Sequence, residues 1–327
     1  MEIFHTLEEV TTQHRPSVVT VGNFDGVHLA HQALLRRVLE IARAKNLAAV
    51  AVTFEPHPSR VLAPHNAPPL LTPLAVKQAL IAATGIDLLL VLPFTRDFSL
   101  WSPQDFAQMV FIDALKASTV VVGDNFHFGH RQSGTPALLA EIGNRSGFAV
   151  IVLLRLFLRG RAVSSSEIRR LLDEGNISLA DRLLGRPFSV RHSVHPGHGI
   201  GSKQTVPTLN LAPYSERLPA PGVYITWATI DSNDSNDSND TPAGPRRFRS
   251  VTNVGYRPTF GGHDLGVETH LLDPWSGPPP EAMEVSFLYR LRPERKFDSP
   301  DQLKAQILRD IRRATNYFRR LKLFRVQ

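Results

Sequence analysis

The chain reads as an α/β domain built on a parallel sheet, followed by an antiparallel β domain that ends in a single helix. Three observations predict this. Apolar runs recur at 18–22, 48–54, 87–92, 119–122 and 149–154 with helically spaced stretches between them, which is the rhythm of βαβ units. From about residue 188 the pattern changes to short alternating segments, such as 223–227 and 283–287, separated by Gly and Pro clusters, as antiparallel strands require. Near the end, Leu303, Ile307, Ile311, Ala314, Phe318 and Leu321 form one apolar stripe behind the start signal Ser299-Pro300-Asp301-Gln302, a capped amphipathic helix.

Val18-Val19-Thr20-Val21 is the first strand, and Leu34, Val38 and Ile41 mark the inner face of the first helix. Leu88-Leu89-Leu90-Val91-Leu92 is apolar on both sides, as in a central strand covered by helices on both faces. Ser102, Pro103 and Asp105 open another helix, with a hydroxyl cap and proline in the first turn. Gly185-Arg186-Pro187 ends a helix, so the domains are expected at 1–186 and 187–327. The short strands of the second domain are expected to close as a barrel, an arrangement that strand pattern alone does not separate from a sandwich. Ser232 to Asp240 repeats Ser-Asn-Asp three times, and 231–245 is expected to be a disordered hairpin loop.

Composition narrows the function classes. The 327 residues contain no cysteine, which excludes disulfides, thiolate metal sites and cysteine nucleophiles and suits a reducing cytoplasm. The N-terminus lacks a basic segment and an apolar core, and the most apolar stretch, 148–158, is broken by Arg155; a soluble, cytoplasmic protein without membrane partners is expected. The net charge of +7 resides almost wholly in 301–327, where eight Lys or Arg face two Asp. One basic helix is poor support for a nucleic-acid partner.

Directly after the first strand comes Gly22-Asn23-Phe24-Asp25-Gly26-Val27-His28-Leu29-Ala30-His31. A buried strand that turns through glycines into a helix aims unpaired N–H groups and the positive dipole end at one spot, where phosphate is stabilised. His28 and His31 share a face of that first turn, a pair that zinc or solvent could also claim. Glu55-Pro56-His57-Pro58 follows the second strand as a rigid turn or a ligand contact. After the fourth strand stands Gly123-Asp124-Asn125-Phe126-His127-Phe128-Gly129, with Arg131 following. In Val163-Ser164-Ser165-Ser166-Glu167-Ile168-Arg169, Ser164 and Glu167 form a capping box, while the free hydroxyls and Arg169 suit a triphosphate. In the second half, Gly197, Gly199 and Gly201 would let backbone approach phosphates. Pro207-Thr208-Leu209-Asn210 supplies hard, neutral oxygens, and Glu268 and His270 of Val267-Glu268-Thr269-His270 point the same way on an alternating strand.

These motifs, in this order, resemble the bacterial bifunctional riboflavin kinase and FMN adenylyltransferase family, the prokaryotic FAD synthetases, over nearly the whole chain. The resemblance implies a Rossmann-like nucleotidyltransferase domain followed by a riboflavin kinase barrel. Riboflavin would be phosphorylated to FMN in the second domain and FMN adenylylated to FAD in the first, with ATP, riboflavin and FMN as substrates and Mg²⁺ as cofactor. It implies ATP binding by Gly22, Asn23, Phe24, Asp25, Gly26, His28, His31, Ser164, Ser165, Ser166 and Arg169, of which His28, His31, Ser164 and Arg169 stabilise the developing charge. Flavin contacts are implied at Asp124, Asn125, Phe126, Phe128 and Arg131. In the kinase half, Thr208 and Asn210 would hold the metal, Gly197, Gly199, Gly201, Lys203, Gly222, Tyr224 and Asn253 the nucleotide, and Glu268 would be the base.

The chain departs from the family pattern at Ala30, where a glycine is usual, at Asn125, at Ser166, and through Ser202 to Val206, where Lys203 stands in for an arginine that it cannot copy. A protein with only the adenylyltransferase active, or a nucleic-acid or regulatory binding protein, is the alternative. The sequence leaves a homo-oligomer open.

Overall fold

A computed structural model describes all residues except 12–15, 196–205, 232–243, 257–264, 276–279 and 325–327. The chain divides into two compact units, Met1–Glu167 and Ile168–Gln327. The expected disordered segment 231–245 lies almost entirely outside the described residues; only its flanks, Asp231 and Gly244-Pro245, are described.

The first unit begins with β1 (Glu2–Phe4), α1 (Leu7–Thr11), β2 (Ser17–Val21), α2 (Leu29–Lys45), β3 (Ala48–Glu55), α3 (Pro58–Leu62), α4 (Leu74–Ala82) and β4 (Leu88–Pro93). It continues with α5 (Pro103–Phe106), β5 (Ala117–Gly123), α6 (Pro136–Ser146), β6 (Ala149–Leu153), the two-residue strands β7 (Phe157–Leu158) and β8 (Arg161–Ala162), and the start of α7 (Ser165–Asp173). The sheet is ordered β1-β4-β3-β2-β5-β6, with every pairing parallel. Five of its six strands fall where the apolar runs predict them. The sixth, β1, is too short and too exposed for periodicity to reveal.

Alternation along the strands fills two cores. Val18, Ala49, Ala51, Leu89 and Val121 face Leu35, Val38 and Ile41 of α2 and Ile81 of α4. Val19, Val21, Val50, Val52, Leu90 and Val122 face Phe106, Val110, Phe111 and Leu139 on the other side. The capping box at Ser102 and Asp105 forms as expected, and the helix it opens runs on as a π-helical segment over Ala107–Ala114.

The second unit holds the rest of α7, then α8 (Ile177–Leu184), β9 (Ser189–His195), β10 (Leu209–Leu211), β11 (Gly222–Asp231), β12 (Pro245–Tyr256), β13 (Leu265–Leu271), β14 (Ala282–Pro293) and the long helix α9 (Pro300–Phe324). The strands close in the order β10-β13-β12-β11-β14-β9, a barrel without free edges. Its interior contains Tyr224 and Phe287, packed edge to face, and a chain of hydroxyls in which Thr226 meets Ser250 and Thr252, and Thr252 meets Thr269.

Helix α9 docks on the outer wall through Ala314, Phe318 and Leu321 against Val223, Ile225, Val251 and Leu291. Its first half differs from the expected apolar stripe. There Gln306 and Asp310 are the buried positions, held by Arg292 and Arg295 through hydrogen bonds of 2.9 and 2.7 Å.

Candidate functional site

In the sheet of the first unit, the chain winds from β2 to β3 to β4 in one direction and then returns to β5 on the other side of β2. That reversal opens a crevice beyond the C-terminal ends of β2 and β5, the place where open α/β sheets bind ligands. Both N-terminal signature loops leave from it: residues 22–28 follow β2, and 124–129 follow β5.

The loop after β2 is strained. Phe24, Gly26 and Val27 have φ of 48°, 87° and 40°, and a left-handed conformation costs a bulky or β-branched residue about 1 kcal/mol or more. The surroundings hold it there. The Asp25 carboxylate, buried, accepts the backbone N–H groups of Leu71 (2.9 Å) and Thr72 (3.0 Å), and the Thr72 hydroxyl accepts from Gly26 N (3.0 Å). Asp25 therefore organises the loop from a buried position.

His28 caps α2, its Nδ1 accepting from the His31 backbone N–H at 3.4 Å. The two imidazoles stack with ring centres 3.6 Å apart, and the Phe24 ring abuts His31 edge-on. His31 keeps part of its surface in solvent, but its Nδ1 is buried and has no hydrogen-bond partner among the described residues. Burial, then the nearby His28 and Lys77, hold the His31 pKa well below the usual histidine value. A stacked pair with an unused polar atom at the start of a 17-residue helix is a ready anion seat. Ala30, where the family has glycine, lies inside α2, where alanine is the most favourable residue.

The second signature reaches the first. Ser165 Oγ donates to the Asp25 carbonyl at 2.8 Å. Ser164 Oγ accepts from Glu167 N at 3.2 Å, and Glu167 pairs with Arg161 at 2.9 Å. Ser166 is exposed and Arg169 half-buried one turn further along α7.

On the outer wall of the barrel, register aligns a second set. Asn210 of β10 lies opposite Glu268 of β13, and Glu268 opposite Asn253 of β12. Their neighbours Thr252 and Thr269 point inward, so the three side chains share the outer face. Thr208 is exposed just before β10, and His270 Nδ1 lies 2.9 Å from the Pro207 carbonyl, which ties this segment to β13.

Two family models match the chain in succession: FAD synthetase over residues 10–167 and riboflavin kinase over 184–318. The bifunctional riboflavin kinase/FMN adenylyltransferase of Buchnera aphidicola subsp. Schizaphis graminum (strain Sg) is 34% identical over 319 residues, covering 96% of this chain and 97% of that protein. The chain belongs to this family. The enzyme of the same name from Escherichia coli K12 is also 34% identical, with 92% of each chain covered. Among solved structures, a macrolide-efflux protein from Streptococcus pneumoniae superposes with a TM-score of 0.83 at 28% identity, covering 96% of this chain and 98% of that one. Among the described residues, no helix here is long and apolar enough to cross a membrane.

Within the FAD synthetase region, the loop after β5 exposes Asn125 and His127 and half-buries Phe126, which stacks on Phe128. Phe128 itself belongs to the core. Asp124 pairs with Arg155 at 3.2 Å, and Arg131 is exposed with φ of 52°. His57 caps α3, its Nδ1 accepting from Ser59 N, so Glu55-Pro56-His57-Pro58 acts here as a turn that starts a helix.

Within the riboflavin kinase region, Gly222 is where an added Cβ would strike the Arg292 carbonyl at 2.6 Å, a constraint of strand packing. Tyr224 is fully buried and its hydroxyl donates to the Ala220 carbonyl; burial pushes that phenol up to about 12. The nucleotide contact expected of Tyr224 has no exposed side chain to use in this structure. Gly197, Gly199, Gly201 and Lys203 lie outside the described residues.

Sequence reasoning missed Thr72 and Lys77. The first looks like any loop threonine. The second is a lone lysine on the same face of α4 as the buried Ile81, and that spacing is the signal that could have found it.

Proposed function

We propose that the barrel unit transfers the γ-phosphate of ATP to the 5′-hydroxyl of riboflavin, and that the α/β unit transfers AMP from a second ATP to the FMN so formed, releasing pyrophosphate. The observation that supports this reading is the occurrence in one chain of two separate clusters of side chains suited to phosphate. One is the stacked His28 and His31 at the α2 N-terminus. The other is the row of Asn210, Glu268 and Asn253 on the barrel wall.

In adenylyl transfer, a phosphate oxygen of FMN bonds to the α-phosphorus as the bond to the bridging oxygen breaks and pyrophosphate departs. The attacking phosphate is already an anion, so alignment and neutralisation of charge are what the protein supplies. His28, His31 and the N–H groups of the α2 start serve there, and Asn125, Phe126 and Arg131 meet the flavin. His31 is held neutral before substrate arrives, and the charge of a bound triphosphate favours its protonation.

In the kinase step, the riboflavin hydroxyl attacks the γ-phosphorus, its proton passes to the Glu268 carboxylate, and ADP leaves. Thr208 and Asn210 offer neutral oxygens beside that carboxylate, a donor set that fits Mg²⁺ arriving with ATP better than a protein-only cage. The ion would neutralise phosphate charge.

Incubating the protein with riboflavin, ATP and Mg²⁺ and separating the flavins over time tests both halves. FMN should appear first and FAD after it. Absence of FMN with FAD formed from added FMN would remove the kinase assignment alone, and absence of both products would remove the reading.

A further inference from the structure

Lys77, on α4, has 4% of its surface exposed. Its Nζ lies 3.1 Å from Thr53 Oγ1, 3.3 Å from the Asn23 carbonyl and 3.4 Å from the Phe54 carbonyl. Thr53 Oγ1 donates in turn to the Asn23 carbonyl at 3.3 Å. An ammonium is costly to bury unless oxygens surround it, and these oxygens come from two places: the loop after β2 and the end of β3. One cation therefore staples the phosphate loop to the neighbouring strand. The residues just ahead of α4 grip the same loop, since Leu71 N and Thr72 N hold Asp25.

We propose that Lys77 is a positioning residue for adenylyl transfer, fixing the backbone at Asn23 so that His28 and His31 meet the triphosphate in one geometry. This rests on the reading of the first unit as the adenylyltransferase. The arrangement has an electrical consequence besides the mechanical one. The groups that act on His31 are His28 of its own turn and Lys77 of α4, and both disfavour its protonation, as burial does. Lys77 in turn is lowered by burial against the pull of Glu55 and Asp25. Removing the Lys77 charge therefore raises the His31 pKa and moves the alkaline limb of the adenylylation pH profile, where protonated His31 is lost, to higher pH. A lysine that only filled space would leave that limb where it is.

The test uses the full chain and begins with the unsubstituted protein making FAD from FMN and ATP; failure at that point refutes the adenylyltransferase reading before the role of Lys77 is at issue. In Lys77→Met, which keeps the stem and drops the charge, FAD formation should fall on the order of a hundredfold, its alkaline limb should move up in pH, and riboflavin phosphorylation should be unchanged. FAD formation at the unsubstituted rate, or a loss of rate with the limb unmoved, overturns the proposal. Should Lys77→Met fail to fold, Thr53→Val removes only the hydroxyl shared by Nζ and the Asn23 carbonyl. It should slow FAD formation several-fold with the kinase intact, and an unchanged rate there overturns the proposal equally.

Discussion

Ser165 Oγ donates to the main-chain carbonyl of Asp25 at 2.8 Å across 140 positions of sequence. The bond joins the start of α7 to the strained turn ahead of α2, so the two nucleotidyltransferase signatures are braced by a direct contact. Ser165→Ala removes the donor and leaves a carbonyl to find water. A net hydrogen bond of about 1 kcal/mol corresponds to roughly fivefold in rate if it is felt in the transition state. FAD formation from FMN should drop by about that factor, with riboflavin phosphorylation, measured in the same preparation, unaltered.

Asp25 offers a sharper test of what the loop needs. Its buried carboxylate accepts two backbone N–H groups from Leu71 and Thr72, and hydrogen bonds to a charged group are worth about 1.5–3 kcal/mol each. Asp25→Asn keeps the shape and one acceptor oxygen but loses the charge. Urea unfolding of the first unit should shift to a lower midpoint by the equivalent of about 2 kcal/mol. An unchanged midpoint would mean that Phe24 and Val27 hold their left-handed geometry without Asp25.

Acid should destabilise the first unit through His31. Its folded pKa lies well below the usual histidine value, while in the unfolded chain it returns to about 6.5. Between those two pH values the unfolded state binds the extra proton, so stability rises with pH across the window. Above about 6.5 both states are neutral and the penalty vanishes; below the folded pKa it is complete. Comparing urea midpoints at pH 7.5 and 5.5, the unsubstituted chain should lose more stability than His31→Gln. Equal losses would place the acid sensitivity in other groups.

Much of this architecture is legible before any coordinates. The stripe through Leu34, Val38 and Ile41, the cap at Ser102 and the hydroxyl at Ser164 act over one or two turns, and sequence reports such local physics directly. What it hides is longer in range. Barrel closure depends on β9 pairing with both β10 and β14, contacts that no single segment encodes. Phe24 and Val27 adopt positive φ although neither residue type favours it, because Leu71 and Thr72 hold Asp25 and Gly26 from outside the turn. Gln306 and Asp310 are buried in α9 only because Arg292 and Arg295 reach them, so a polarity pattern alone assigns them to solvent. Lys77 shares a helix face with Ile81, but the oxygens of Asn23, Thr53 and Phe54 that let it stay buried come from distant segments.

Glu268 decides whether the barrel wall is a kinase site. It stands between Asn210 and Asn253 in the register, with His270 two residues along binding the Pro207 carbonyl, so the Pro207–Asn210 segment is anchored to β13 independently of the carboxylate. Glu268→Gln therefore preserves strand pairing, volume and the approach of Thr208 while removing the atom that can take a proton. General-base catalysis contributes on the order of 10² to 10⁴ in rate, and FMN formation from riboflavin should fall by a factor in that range. FAD formation from added FMN should persist, because the proposed adenylylation site, at His28 and His31, lies in the other unit. If FMN formation survives the substitution, the riboflavin hydroxyl loses its proton elsewhere, and the row on β10, β13 and β12 retains at most a binding role.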